Sequence, residues 1–188
     1  MKYFKQLSLV VFCGLILSCC SQEKARKPIS QSSGSYLSES ITRNKKMISG
    51  EELKIDSIIK SKPETKYIAS KKGYWYTYNV KNELDTLSPR KGDIAYFNYE
   101  IKDLNGNVIY TELELRPQTY RVDKEQKMMI GLRDGIKLMS KNETVTFLFP
   151  SHVAYGYHGD NRRIGHNEPL ICTVTLTNFE PESKIKTE

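Results

Sequence analysis

"MIGLRDGIKLMSKNETVTFLFPSHVAYG", Met129 to Gly156, contains the change of period that decides the fold. With Met128 before it, the first part places Met129, Leu132, Ile136 and Met139 at near-helical spacing. Gly131 and Gly135 fall inside that helix. Each lowers its intrinsic propensity by about 1 kcal/mol, so packing must hold it. "TVTFLF" (144–149) then has a period of two and turns Val145, Phe147 and Phe149 to one side. Pro150 ends the run, and a polar segment opening on Ala154-Tyr155-Gly156 follows.

The flanking chain supplies more strands. "YWYTYNV" (74–80) alternates Tyr with other residues, and "IAYFNYEI" (94–101) puts Phe97, Tyr99 and Ile101 on one face. "DLNGNVIY" carries Asn105-Gly106, the strongest short hairpin signal. "TYRV" (119–122) is a short strand, and "LICTVTLTNF" (170–179) alternates Leu170, Cys172, Val174 and Leu176. Several antiparallel strands and one short helix make an α+β domain. One curved sheet wrapped over the helix buries every apolar face. A length of 188 residues favours one domain plus appendages, and there is no internal repeat.

The N-terminus is outside that core. Lys2 and Lys5 precede "LSLVVFCGLILS", and Cys19-Cys20 follow. This is a positive region, an apolar stretch of signal-peptide length and a small-residue cleavage region. "LILSC" resembles a bacterial lipobox, and Ser18 makes Cys19 a better acylation site than Cys20. Several acyl chains anchor firmly where one is marginal. The expected location is therefore the cell envelope, lipid-anchored to the membrane and facing the periplasm. An ordinary cleaved signal with chance cysteines is the other reading. Cys172 is then alone in the folded part, in an apolar run, where it acts as a small hydrophobe.

The net charge of +7 is unevenly spread. Residues 21–72 hold 12 Lys/Arg against 6 Asp/Glu, whereas residues 73–180 hold 13 against 14. The basic excess sits in a tether near a membrane surface rather than on a domain face, which argues against nucleic-acid binding. Within residues 19–69, 21–46 read as a flexible spacer. Residues 50–62 read as a short helix capped by Ser49, gathering Leu53, Ile58 and Ile59 and closed by Pro63. Whether it docks is open. The boundaries expected are 1–18 signal, 19–69 tether, 70–180 domain and 181–188 tail.

The order of words in the domain resembles the FK506-binding (FKBP) class of peptidyl-prolyl isomerases. The residues that carry the resemblance are "RKGDIAYFNYEI", "DLNGNVIY", Met129–Gly156 and "IGHNEPLICTVTLTNFE", over about residues 70–180. The lipoprotein signal, tether and "IGxNEPL" variant are most similar to gliding-motility-associated lipoproteins of that class. The resemblance implies an FKBP-like curved antiparallel sheet around one short helix, a monomeric domain and no cofactor. It also implies a shallow apolar pocket for X-Pro segments of client proteins, walled by Tyr99, Ile109, Tyr110, Met128, Leu132, Tyr155, Ile164 and Cys172. The Tyr155 hydroxyl and the Met129 N–H would grip substrate carbonyls.

Several positions depart from the family pattern. Ile109-Tyr110 stand where the class has Phe-Asp, so the Asp that bonds Tyr or Arg in the pocket is missing. Leu132 replaces a floor Trp, Cys172 a wall Phe, Gln118 an upstream Phe, and Met128-Met129 a Val-Ile pair. The expected pocket is wider, softer and less aromatic, with weak catalysis. Two functions therefore stay open: an isomerase assisting folding of envelope or motility proteins, and a weakly catalytic chaperone or binding module of the secretion or gliding apparatus. Tyr155 and Tyr99 also admit purely structural readings. His152, His158 and His166 are loosely spaced in a loop with no H-E-x-x-H pattern, so surface histidines and no metal site are expected. Asp134 reads as a solvated charge.

Cys19→Ala should leave an unprocessed precursor that takes up no labelled fatty acid. Uptake by that variant but not by Cys20→Ala would move the anchor to Cys20.

Overall fold

The computed structural model describes residues 33–182, so the signal, Cys19, Cys20 and the tail from 183 lie outside the described residues. The chain divides into two units, Met1–Glu39 and Ser40–Glu188. Of the first, the described residues 33–39 are the opening turns of helix α1 (Ser33–Ser61). The rest of the description concerns the second unit.

After α1 come β1 (Ile68–Ala69), β2 (Trp75–Val80), β3 (Ile94–Lys102), β4 (Val108–Tyr110), α2 (Glu112–Leu115), β5 (Gln118–Arg121), α3 (Ile130–Gly135), β6 (Thr144–Phe149) and β7 (Leu170–Glu180). The strands form one antiparallel sheet in the order β1-β2-β6-β7-β3-β4, with β5 also paired to β3. This is the expected α+β arrangement. The Asn105-Gly106 hairpin joins β3 to β4, and the Asp103 carboxylate accepts the N–H groups of Asn105 (2.9 Å) and Asn107 (2.8 Å).

Alternation decides which face is covered. Ala95, Phe97, Tyr99 and Ile101 of β3, Leu170, Cys172, Val174 and Leu176 of β7, and Val145, Phe147 and Phe149 of β6 are all buried. Register joins them into rows. One row runs Tyr76, Phe147, Cys172, Ile101, Tyr110 across five strands. Cys172 is its smallest side chain, which lowers the floor at that point.

α3 with its 3₁₀ continuation Ile136–Leu138 covers this face. Its glycines explain how it lies so close. A Cβ on Gly131 would stand 2.5 Å from Phe149 Cε1, and one on Gly135 would stand 2.7 Å from Phe147 Cε1. The two rings stack at 5.3 Å and 7°. Tyr74 meets their edges at 6.0 and 5.4 Å. Its hydroxyl donates to Asp134 Oδ2 at 2.8 Å, and Lys137 Nζ lies 3.5 Å from Asp134 Oδ1. Asp134 is thus not a mere solvated charge but the acceptor that joins α3 to Tyr74, the residue before β2.

The opposite face also holds buried apolar side chains. Trp75, Leu148 and Ile171 form a cross-strand row there. Leu148 and Ile55 of α1 are both fully buried, and neither belongs to the main core. Glu51, one turn before Ile55 on the same helix face, accepts the Ser151 N–H and hydroxyl, each at 2.8 Å. The helix read from the sequence over 50–62 therefore docks, and it starts at Ser33, inside the stretch read as flexible spacer. Ser49 does not cap it. The Ser49 hydroxyl bonds back to the Lys46 carbonyl at 3.0 Å, and the helix runs through.

Gly131→Ala should destabilise by about 1–3 kcal/mol through overpacking against Phe149. At an open helix position the same change would stabilise by about 1 kcal/mol. Denaturant unfolding of the full chain reads the sign, and a gain in stability would show that the helix can back away from β6.

Candidate active site

The candidate site residues come from five places. β3 and β7 contribute Tyr99 and Cys172, both buried. β4 contributes Ile109 and Tyr110, and the start of α3 contributes Met128, Met129 and Leu132. The polar segment after β6 contributes Tyr155 and Ile164. Tyr99, Met129, Leu132, Ile164 and Cys172 are members of the main core, and Ile109, Tyr110, Met128 and Tyr155 are half-buried against it. The structure thus brings all nine sequence-expected residues into one apolar assembly.

Burial, reinforced by Tyr99 and Cys172, pushes the Tyr155 hydroxyl well above its ordinary value. Burial also pushes Tyr99 up to about 12 and the Cys172 thiol upward. All three stay protonated at neutral pH, so Tyr155 is a neutral donor. Among the described residues, neither the Tyr99 nor the Tyr155 hydroxyl has a hydrogen-bond partner, nor does the N–H of Met129, which caps α3. Arg121 Nε and Arg133 Nε are the only sealed side-chain polar atoms without partners among the described residues, so both hydroxyls reach solvent. These groups are therefore free to donate to a ligand's carbonyl.

The carboxylate missing from β4 is supplied by a different segment. Asp160 accepts the N–H groups of Arg162 (2.8 Å), Arg163 (3.0 Å) and Ile164 (2.8 Å), and also the Tyr110 hydroxyl. Partial burial alone would raise its carboxyl. The bonds from Tyr110 and the three amides outweigh this and hold it below the ordinary carboxylate range. Arg163 completes the closure. Its Nη1 donates to the Ile109 carbonyl at 2.8 Å, its Nη2 lies 2.9 Å from Glu114 Oε1, and its guanidinium sits 4.9 Å over the Tyr110 ring. The Arg163 bond, followed by that of Thr111, holds Glu114 down to about 2. The loop bearing Ile164 is thereby fastened to the hairpin bearing Ile109 and Tyr110.

Sequence reading missed Asp160 and Arg163. The available signal was an Asp followed by a short polar turn, the pattern in which Asp caps backbone N–H groups two and more residues on. Gln118 is engaged elsewhere, its Nε2 donating to the Leu115 carbonyl at 2.6 Å. The three histidines are exposed, and His166 Nδ1 bonds the Tyr157 carbonyl.

An antiparallel sheet packed on a short helix makes this an α+β domain. Residues 86–177, just under half of the chain, match the family of FKBP-type peptidyl-prolyl cis-trans isomerases, and the chain carries an isomerase domain of that family. The fold is similar to the crystal structure of FkpA from Escherichia coli, with TM-score 0.59 and 19% identity over 95% of this chain and 82% of that one. It is also similar to a peptidyl-prolyl cis-trans isomerase from Pseudomonas syringae pv. tomato, with TM-score 0.57 and 20% identity over 73% and 96%. The N-terminal domain of FKBP42 from Arabidopsis thaliana gives TM-score 0.55 and 18% identity over 62% and 94%. Comparison of the sequence with curated proteins returns no match.

Asp160→Ala should cost about 1–2 kcal/mol, and Tyr110→Phe about 0.5–1.5 kcal/mol, because only one of its four bonds goes. The Asp160 contribution, from a depressed folded pKa, should be complete above about pH 4 and fade as pH falls through the folded value. Equal losses from the two substitutions in denaturant melts would mean that the three backbone bonds contribute nothing.

Proposed function

We propose that this chain catalyses cis-trans rotation about X-Pro bonds of cell-envelope proteins while a lipid on Cys19 holds it at the membrane, facing the periplasm. The observation that carries the catalytic reading is the Tyr155 hydroxyl, half-buried, protonated and without a partner, over an apolar floor.

Amide resonance sets a barrier of roughly 18–20 kcal/mol to this rotation. Half-way through it the nitrogen is pyramidal, resonance is lost and the dipole is smaller. The apolar walls of Tyr99, Leu132, Ile164 and Cys172 disfavour the polar planar amide relative to that twisted state. Tyr155 Oη–H and Met129 N–H hold flanking carbonyls in a turn that favours twisting. Only interactions stronger in the twisted state lower the barrier. No bond to the substrate forms or breaks, and no cofactor is required.

The clients are proline-containing envelope proteins. The signal, tether and "IGxNEPL" loop, similar to those of the gliding-motility isomerase lipoprotein GldI, favour clients in a motility or secretion apparatus. A second reading, a weakly catalytic chaperone on the same fold, is favoured by exposed apolar side chains close in sequence to the pocket residues. Leu113 is 90% exposed and Tyr157 is 68% exposed.

Tyr155→Phe removes one hydrogen bond to a neutral carbonyl, worth about 0.5–1.5 kcal/mol, so catalysed exchange should slow about threefold to tenfold. Its melting temperature should barely move, and Tyr155→Ala should slow exchange further. Unchanged catalysis with a lowered melting temperature would make Tyr155 a structural cap. If the parent catalyses nothing, loss of unfolded-client binding in these two Tyr155 variants would favour the chaperone reading.

A further inference from the structure

We propose that Glu51 on α1 is a positioning residue for the isomerase, holding the loop that carries Tyr155. The proposal rests on the isomerase reading for its effect on rate. Glu51 is 5% exposed, and among the described residues it has no ion-pair partner. A buried carboxylate is costly unless it is hydrogen-bonded. Ser151, itself fully buried, donates both its N–H and its hydroxyl to Glu51, each at 2.8 Å. Both bonds end on the one carboxyl group, so Ser151 is held at two points.

Ser151 is the first residue of the active-site segment. It follows Pro150 at the end of β6 and opens the 3₁₀ turn Ser151–Val153. Its carbonyl accepts the Ala154 N–H at 3.0 Å, and Tyr155 is the next residue. One continuous series of bonds therefore runs from Glu51 through Ser151 to the residue before the catalytic tyrosine. Beside it lies a hollow of about 680 Å³ between Arg43, Met47 and Ile48 of α1 and His152, Gly156 and Tyr157 of the loop. The loop has room to shift into this space when the clamp is released. The segment that leads to the membrane anchor is thus also the support of the pocket's far wall.

The test compares Glu51→Ala, Glu51→Gln and Ile55→Ala in the full processed chain, at equal intervals below each variant's melting temperature. Ile55→Ala loosens the same helix without touching Ser151. Glu51→Ala should speed amide exchange at residues 151–157 about tenfold and lower kcat/KM about threefold to tenfold. Glu51→Gln, which keeps an acceptor, should restore part of both, and Ile55→Ala should change neither. Equal changes in Glu51→Ala and Ile55→Ala, or parental exchange at 151–157 in Glu51→Ala, would overturn the proposal. If Glu51→Ala does not fold, Glu51→Gln must show a smaller change of the same sign, and its absence would count against the proposal. A parent that catalyses nothing would end the isomerase reading, and the exchange comparison alone would then decide whether Glu51 holds the loop.

Discussion

Two absent side chains set the distance on which the domain depends. With no Cβ at Gly131 and Gly135, α3 lies directly on the Phe147 and Phe149 rings. The helix is too short to stand alone and is weakened by those same glycines. Packing is what makes it a helix, and the stacked rings are the surface it packs on. Its start, Met129, and its first inward residue, Leu132, are placed by that contact. Those two residues belong to the candidate site, so the close approach of helix to sheet also fixes where they stand.

The opposite wall has no such rigid support and is built by polar fastening. Asp160 gathers three backbone N–H groups and the Tyr110 hydroxyl, while Arg163 spans from the Ile109 carbonyl to Glu114. Glu51 holds the root of the same segment through Ser151. A polar loop can therefore present Tyr155 and Ile164 inward, because its charged groups bond along its edges rather than into the hollow. The apolar interior is left to Tyr99, Leu132, Ile164 and Cys172, all buried.

Much of this was legible in residue order. Period-two alternation in 94–101, 144–149 and 170–179 marks the buried faces directly, since successive side chains in a strand point to opposite sides. Asn105-Gly106 marks the hairpin, and the nine residues taken from the family resemblance all lie in or against the main core. The illegible parts are those where a side chain's partner is distant in sequence. Asp160 and Tyr110 are fifty residues apart, and Glu51 and Ser151 one hundred. Nothing local distinguishes Glu51 from Glu52 beside it. Only docking of the helix decides which one is buried. The helix start was missed for a related reason. Ser-rich segments read as linkers, yet a Ser that bonds back one turn lets a helix continue.

The central claim is that an X-Pro bond rotates in the hollow between Met129, Tyr155 and Ile164. NMR exchange spectroscopy of a short proline peptide, mixed with the full processed chain carrying labelled Met and Ile methyl groups, tests it most directly. The account predicts cis-trans exchange faster than the uncatalysed time of about 10–100 s, with peptide-dependent shifts of the Met128, Met129, Ile109 and Ile164 methyls. Exchange at the uncatalysed rate, with those methyls unmoved at saturating peptide, would contradict it.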